Sequence, residues 1–435
     1  MVSSAGSAIE WFDFFSYGTA AALVFNKLFF PASDPLVGTL LAFVTFAIGF
    51  VARPLGGIVF GHFGDRVGRK PALVTALFLM GGSTAVIGLL PTYDAIGVAA
   101  PLLLVVLRLL QGIAVGGQWG GAVLIATENA PRGRRGLYGS FAQLGVPAGL
   151  MLSSLVFLVT TSALGEKQFA AWGWRVPFLC SIALIVVAIF AQFKLEETED
   201  SRQVKEEREA SGTSRSPVVE VLRRHPRNVL LAAGAVVIVG AGFYLFVTYM
   251  LAYGTTVLGM PKSTLLNAVL VGAALQIPAL MAFGALSDRI GRRKVYLTGA
   301  LGMGLWAYPA FVLMNTERWP LVTLALVVGQ LLFACMYGPQ AAFFSELFTA
   351  RVRYSGASLG YQLGVMLGGA FTPIVATWLY AKYDSFVPVA GFLGLAAAVS
   401  CVCVLVLSET YRQEEEAEDV AGVIDADNEP SLTAS

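Results

Sequence analysis

Long apolar runs, cut at Pro, Gly and charge clusters, dominate the chain. A helix needs about twenty mostly apolar residues to cross a hydrocarbon core. Twelve runs of that order stand near 7–30, 37–60, 71–91, 99–124, 137–162, 174–194, 229–252, 264–286, 295–314, 319–343, 355–380 and 386–408. They are roughly twice as long as a membrane β-strand, and backbone groups in lipid must be bonded within their own segment, so the pattern predicts helices. The expected fold class is an all-α membrane protein of twelve transmembrane helices. One long polar break, rich in Glu, Arg and Ser, divides six helices from six. The expected organisation is an N-terminal six-helix bundle (1–194), a cytoplasmic linker (195–228), a C-terminal six-helix bundle (229–408) and an acidic, disordered cytoplasmic tail (409–435).

Composition agrees with a lipid environment. The 435 residues are 56% hydrophobic and 13% charged, where a soluble domain carries about a quarter charged residues. The net charge of +1 gives no argument for a nucleic-acid partner. Placement of charge matters more. With the N-terminus inside, cytoplasmic loops collect Arg66, Arg69, Lys70, Arg132, Arg134, Arg135, Arg289, Arg292, Arg293, Lys294, Arg351, Arg353 and the basic residues of the linker. Outside loops hold Lys27, Lys167, Arg175, Lys262, Arg318 and Lys382, so the positive-inside rule predicts both termini in the cytoplasm. The stretch ahead of residue 30 lacks a basic n-region, so the first helix is expected to remain in the mature protein. Cys180, Cys335, Cys401 and Cys403 sit in apolar runs without metal-site or redox spacing.

Two local patterns recur at half the chain length. Gly61-His-Phe-Gly-Asp65-Arg66-Val-Gly68-Arg69-Lys70 follows the second span, and Gly284-Ala-Leu-Ser-Asp288-Arg289-Ile-Gly291-Arg292-Arg293-Lys294 follows the eighth. Glu128, Tyr138-Gly-Ser and Gln143-Leu-Gly are echoed by Glu346, Tyr354-Ser-Gly and Gln362-Leu-Gly. Two matches at nearly one period imply duplication. Parallel six-helix repeats with a midplane site between them are one design of secondary transporters.

G-x-x-x-D-R-x-G-R-K after the second helix resembles the signature of the major facilitator superfamily, and Arg108-Leu-Leu-Gln111-Gly112 resembles its fourth-helix motif. Glu10-Trp-Phe-Asp13-Phe-Phe-Ser-Tyr17-Gly18, Ala52-Arg53-Pro54-Leu-Gly-Gly, Trp172-Gly-Trp-Arg175-Val-Pro-Phe, Ser345-Glu346-Leu-Phe and Arg351-Val-Arg-Tyr-Ser-Gly are similar to the metabolite:proton symporter family. That family includes carriers of shikimate, 2-oxoglutarate, citrate and proline/betaine, and the resemblance runs over residues 7–412. The family usually has Glu where this chain has Gln118, which removes one candidate proton carrier. It also usually has a basic segment ahead of the first helix, where only a few residues stand here.

A charge at the centre of a membrane helix costs about 2.5–3.5 kcal/mol on the insertion scale, so each requires a partner, an aqueous cavity or a task. Glu10 and Asp13 in the first helix, Arg53 in the second and Arg108 in the fourth meet that description. Glu10, Asp13 and Tyr17 share one helix face, as do Arg108, Gln111, Val115, Gln118 and Ala122. Asp13 is the expected proton site, with Glu10 and Arg108 assisting, and Arg53 the expected carboxylate anchor, since a guanidinium fork holds a carboxylate through two bonds. The competing structural readings are a helix-end role for Glu10, backbone bonding for Arg108, and a silent buried pair for Asp13 and Arg53. Tyr17, Gln111, Gln118, Tyr244, Gln276 and Tyr361 are the expected neutral substrate contacts; such residues also serve as packing. Gly61, Asp65, Arg66, Gly68, Arg69 and their counterparts Asp288, Arg289 and Arg292 are expected to form a cytoplasmic gate, with Glu128 and Glu346 as partners of the Arg residues.

These residues and the resemblance together predict a secondary transporter importing a small organic acid, such as shikimate or a dicarboxylate, by proton symport through alternating access. Uptake of a zwitterion such as a betaine or amino acid, and a proton-independent facilitator, remain as alternatives. The expected setting is a multi-pass protein of a bacterial cell membrane, acting as a monomer in the bilayer, with the proton gradient as energy source and no cofactor or metal. An enzyme is disfavoured by the absence of a nucleophile–base motif or metal set, and an ATP-driven pump by the absence of G-x-x-x-x-G-K-[ST].

Overall fold

A computed structural model describes residues 2–31, 33–57, 59–60, 69–116, 126–127, 130–131, 133–193, 221, 223–348 and 353–411. Among them the regular structure is helical. The described part of each apolar run overlaps a helical stretch: α1 Val2–Ala20, α2 Pro35–Gly57, α3 Arg69–Leu89, α4 Ala99–Val115, α5 Arg135–Ala171 and α6 Val176–Phe193. In the second half follow α7 Pro226–Thr256, α8 Lys262–Ile290, α9 Arg292–Met314, α10 Trp319–Glu346, α11 Ser355–Tyr383 and α12 Val387–Val406. Eight of the described helices, α2, α5 and α7–α12, are long and apolar enough to cross a membrane; Val74–Leu89 and Ala99–Val115 are shorter apolar helices.

Local chemistry sets several boundaries. Asp34 caps α2, accepting from the Leu36 amide with Pro35 in the first turn. The sequence pattern ends the eighth span near 286, but α8 runs on to Ile290. Only Gly291, at φ 103°, separates it from α9, so Asp288 lies in the last turn of one helix and Arg292 in the first turn of the next. Residue 291 must be Gly because a side chain disfavours that backbone conformation. A π-turn follows α1 at Ala21–Phe25 and another interrupts α7 at Leu245–Tyr249, so corresponding helices of the repeat carry the same irregularity.

Packing repeats as well. In the first half α1 lies against α5 and α6, α2 against α4, and α3 against α4 and α6. In the second half α7 lies against α11 and α12, α8 against α10, and α9 against α10 and α12. The duplicated sequence therefore builds the same neighbourhood twice. Contacts between the halves run through α5 with α8 and α10, and α2 with α11. Large apolar side chains such as Leu89, Leu230 and Leu305 point outward, as a surface bathed in hydrocarbon requires.

Candidate functional site

Asp13, Phe14, Arg53, Met80, Arg108, Gln111, Gly112 and Val115 line a small cavity of about 10 Å³, near the lower bound for one water molecule. The structure thus brings the deep charges of α1, α2 and α4 into one place, each at most 4% exposed. One carboxylate and two guanidiniums share its lining.

Aromatic rings hold both cations. The Arg53 guanidinium carbon lies 4.6 Å from the ring centroids of Phe14 and Phe50 and 5.8 Å from Trp11. That of Arg108 lies 4.3 Å from Tyr17, 4.4 Å from Phe14 and 5.0 Å from Phe46. Cation–π attraction in such a desolvated setting reaches about 2 kcal/mol, which offsets part of the burial. Phe14 stands between the two. Guanidinium planes suit this arrangement because they stack on rings while their edges stay free to donate.

The edges are partly used. Arg108 Nε donates to the Phe46 carbonyl at 3.4 Å and Nη1 to Gln111 Oε1 at 3.1 Å; Gln111 Nε2 donates to Thr84 Oγ1 at 2.7 Å. Gln111 thus orients Arg108. Arg53 Nε and Arg108 Nη2, both buried, make no hydrogen bond among the described residues. Two donors of opposite helices are therefore available to an anionic ligand. Tyr17 is turned to Thr45, donating from its hydroxyl at 2.7 Å, and covers Arg108 with its ring.

Close approach of α2 and α4 makes this possible. A Cβ on Gly49 would stand 2.5 Å from Arg108 Nε and 2.8 Å from its Cζ, and a Cβ on Gly112 would overlap the Gly49 carbonyl. Both positions require the absence of a side chain.

The second half closes over the site. Tyr244 of α7 packs edge-on against Phe46 at 5.5 Å and Phe50 at 5.3 Å. A chain of ring contacts continues from Trp11 through Phe15, Phe243 and Phe333 to Tyr337 at centroid spacings of 5.3, 5.4, 4.5 and 4.7 Å. The Tyr337 and Tyr361 hydroxyls are 3.4 Å apart. Gln276 is fully buried in α8. Tyr17, Tyr244, Tyr361 and Gln276 do not line the cavity. The aromatic cage and Thr84 are additions that apolar patterning concealed, because a run such as Trp11–Phe15 reads as lipid-facing.

At the end of the molecule that carries the Asp288 motif, Asp288 accepts from the backbone amides of Gly136 and Leu137 at 2.8 and 2.9 Å. It thereby caps the N-terminus of α5 across the two halves, where the helix dipole favours an anion. Arg292 Nη1 is 2.5 Å from Asp288 and Nη2 is 3.4 Å from Glu346. Arg289, expected beside them, is exposed instead. Glu409 and Thr410, read from sequence as the start of an unstructured tail, dock here: Glu409 accepts from the Arg292 amide at 3.0 Å, and Thr410 Oγ1 donates to Glu346 at 2.6 Å. At the opposite end Lys262 lies 5.2 Å from the Phe169 ring, joining α8 to α5. Gly61, Asp65, Arg66, Gly68, Gln118 and Glu128 lie outside the described residues, as do the side chains of Glu10 and Arg69.

Comparison with known proteins supplies the family. The family described as sugar (and other) transporter matches residues 1–420. The shikimate transporter of Escherichia coli (strain K12) is 40% identical over 417 residues, 94% of each chain. The proline/betaine transporter of the same organism is 33% identical over 420 residues, 94% of this chain and 83% of that one. A crystal structure of the D-xylose-proton symporter superposes with a TM-score of 0.72 at 18% identity, covering 94% of this chain and 97% of that one. A second structure, the same superfamily's xylose transporter in an inward open conformation, superposes at 0.69 and 18% identity over 96% of this chain and 98% of that one. The chain belongs to the sugar (and other) transporter family of the major facilitator superfamily, and is a multi-pass transporter of the cell membrane rather than an enzyme.

Proposed function

We propose that this transporter carries a small organic acid inward together with a proton, by alternating access between two six-helix bundles with both termini in the cytoplasm. The observation that carries the reading is the set of Asp13, Arg53 and Arg108 around one cavity, with Arg53 Nε and Arg108 Nη2 free to donate. A carboxylate entering between the guanidiniums competes with Asp13 for positive charge, raises its proton affinity and so binds with a proton. Release of either ligand weakens the hold on the other. The energy source is the proton gradient, no cofactor is required, and the monomer in the bilayer is the working unit.

Uptake of a betaine-like zwitterion is the second reading, favoured by the proline/betaine relatives. The cage argues against it: rings that would embrace a quaternary ammonium are already stacked on Arg53 and Arg108. Both readings are separated by uptake of labelled shikimate, 2-oxoglutarate, citrate and betaine into proteoliposomes, with and without an inward proton gradient. Gradient-driven accumulation of a carboxylate, abolished in Asp13→Asn, is the expected outcome. Equilibration that ignores the gradient would make the protein a facilitator and remove the role of Asp13.

A further inference from the structure

A polar side chain of α3, outside the cavity lining, governs a group inside it. Thr84 is 0% exposed and does not line the cavity, to which α3 contributes Met80. Its hydroxyl donates to the Met80 carbonyl one turn back at 2.9 Å, a bond that a Thr within a helix commonly makes. That bond uses the hydroxyl proton and leaves the oxygen able to accept. The oxygen accepts from Gln111 Nε2 of α4 at 2.7 Å, a bond between two helices that local helix chemistry does not require.

This run of bonds has a single direction. An arginine donates and never accepts, so Gln111 must turn its carbonyl oxygen to Arg108 Nη1, 3.1 Å away, and its NH2 group elsewhere. Thr84 is the acceptor that receives that group. The sense of the amide matters because little else settles the rotation of the guanidinium. Attraction to the faces of Phe14, Tyr17 and Phe46 depends on the distance of the cation from each ring and leaves open which nitrogen is turned to the cavity. The bond from Nε to the Phe46 carbonyl is 3.4 Å, longer than usual for N–H to oxygen. Gln111 therefore sets the rotation that leaves Nη2 without a bond among the described residues, and Thr84 sets Gln111.

Resting on the reading of Arg108 as part of a carboxylate site, we propose that Thr84 is a positioning residue for transport: its hydroxyl holds the Gln111 amide in the sense that aims Arg108 at the carboxylate of the solute. Nothing in this depends on the rest of the solute, since shikimate, 2-oxoglutarate, citrate and betaine all carry a carboxylate. Without the hydroxyl, the Gln111 NH2 group loses its acceptor in a buried setting and turns to find another. Its oxygen then leaves Nη1. Arg108 stays among its rings, but its free edge is no longer directed.

The test is uptake kinetics in proteoliposomes, with whichever of those labelled solutes the wild-type protein accumulates. Thr84→Val, close in shape but lacking the hydroxyl, is expected to raise KM about fivefold or more while the maximal rate per inserted protein changes less than about twofold, because binding and not the moving parts is altered. Thr84→Ser, which keeps the hydroxyl, brings KM back to within about twofold of wild type. In a Gln111→Leu background, where there is no amide to orient, Thr84→Val changes KM by less than about a further twofold. An unchanged KM in Thr84→Val, with or without a lower maximal rate, or effects of Thr84→Val and Gln111→Leu that multiply, would reduce Thr84 to packing between α3 and α4 and leave the organic-acid reading intact. Accumulation of betaine alone overturns the organic-acid reading, while the same variants read with betaine still decide the role of Thr84. Accumulation of none of these solutes overturns both. Thr84→Ala, read in the same way, decides the matter if Thr84→Val fails to insert.

Discussion

Arg108 shows how a single buried charge is maintained in this protein. Its guanidinium is held by three rings, one carbonyl and Gln111, and the last of its nitrogens stays available. The position depends on empty space at Gly49 as much as on attraction. Gly49→Ala would set a methyl 2.5 Å from Arg108 Nε, so the guanidinium must swing out of the cavity. At least a tenfold rise in uptake KM is expected, with normal membrane insertion. Gly82→Ala, where nothing lies within 4 Å, should transport as wild type; equal kinetics for both variants would refute the positioning argument. From sequence, the burial penalty singled out Glu10, Asp13, Arg53 and Arg108 as candidates. The cage was hidden, because Phe14, Phe46 and Phe50 look the same in a lipid-facing stripe as around a cation.

Helix termini provide the contacts that hold the halves together at one end. Asp288, in the last turn of α8, caps α5 of the other half, and Glu409 caps α9. Removing a cap of this kind costs about 0.5–2 kcal/mol. Asp288→Ala is therefore expected to loosen the junction, lowering the unfolding midpoint in detergent and speeding thiol labelling of a Cys placed at Ser140. Labelling at the wild-type rate would mean that the cap does not hold the halves closed. Thr410→Val removes the hydroxyl that donates to Glu346 and should weaken the docking of the segment after α12 on α10 by about 1 kcal/mol, read as a lower unfolding midpoint. The pairing of motif residues with Glu346 was anticipated by the repeated spacing. The docking of Glu409 and Thr410 was not, since an acidic stretch after the last span has the composition of a solvated tail.

Across the whole molecule, the two halves touch at Asp288 with α5 and at Lys262 with Phe169, and aromatic side chains fill the space between them. Alternating access requires one of these ends to part. A Cβ on Gly284 would stand 3.0 Å from Ser140 Cβ, slightly inside the 3.5–4.5 Å usual for a disulfide. Ser140→Cys with Gly284→Cys, with the four native cysteines replaced, should therefore cross-link on oxidation. Uptake is expected to stop when the bond forms and to return with reductant; undiminished uptake by the cross-linked protein would rule out separation at this junction. The helical class, the position of each apolar run, the internal repeat and the few charges that lipid cannot tolerate were legible before folding, because all of these follow from local composition and from the solvent the chain must meet. Packing sets which rings surround those charges, which helix end Asp288 caps, that Tyr244 lies against the first half, and that Gln276 and Gln340 make no side-chain hydrogen bond among the described residues. Those facts depend on how helices far apart in sequence pack, and a hydrophobic pattern carries no record of which neighbour a buried side chain meets.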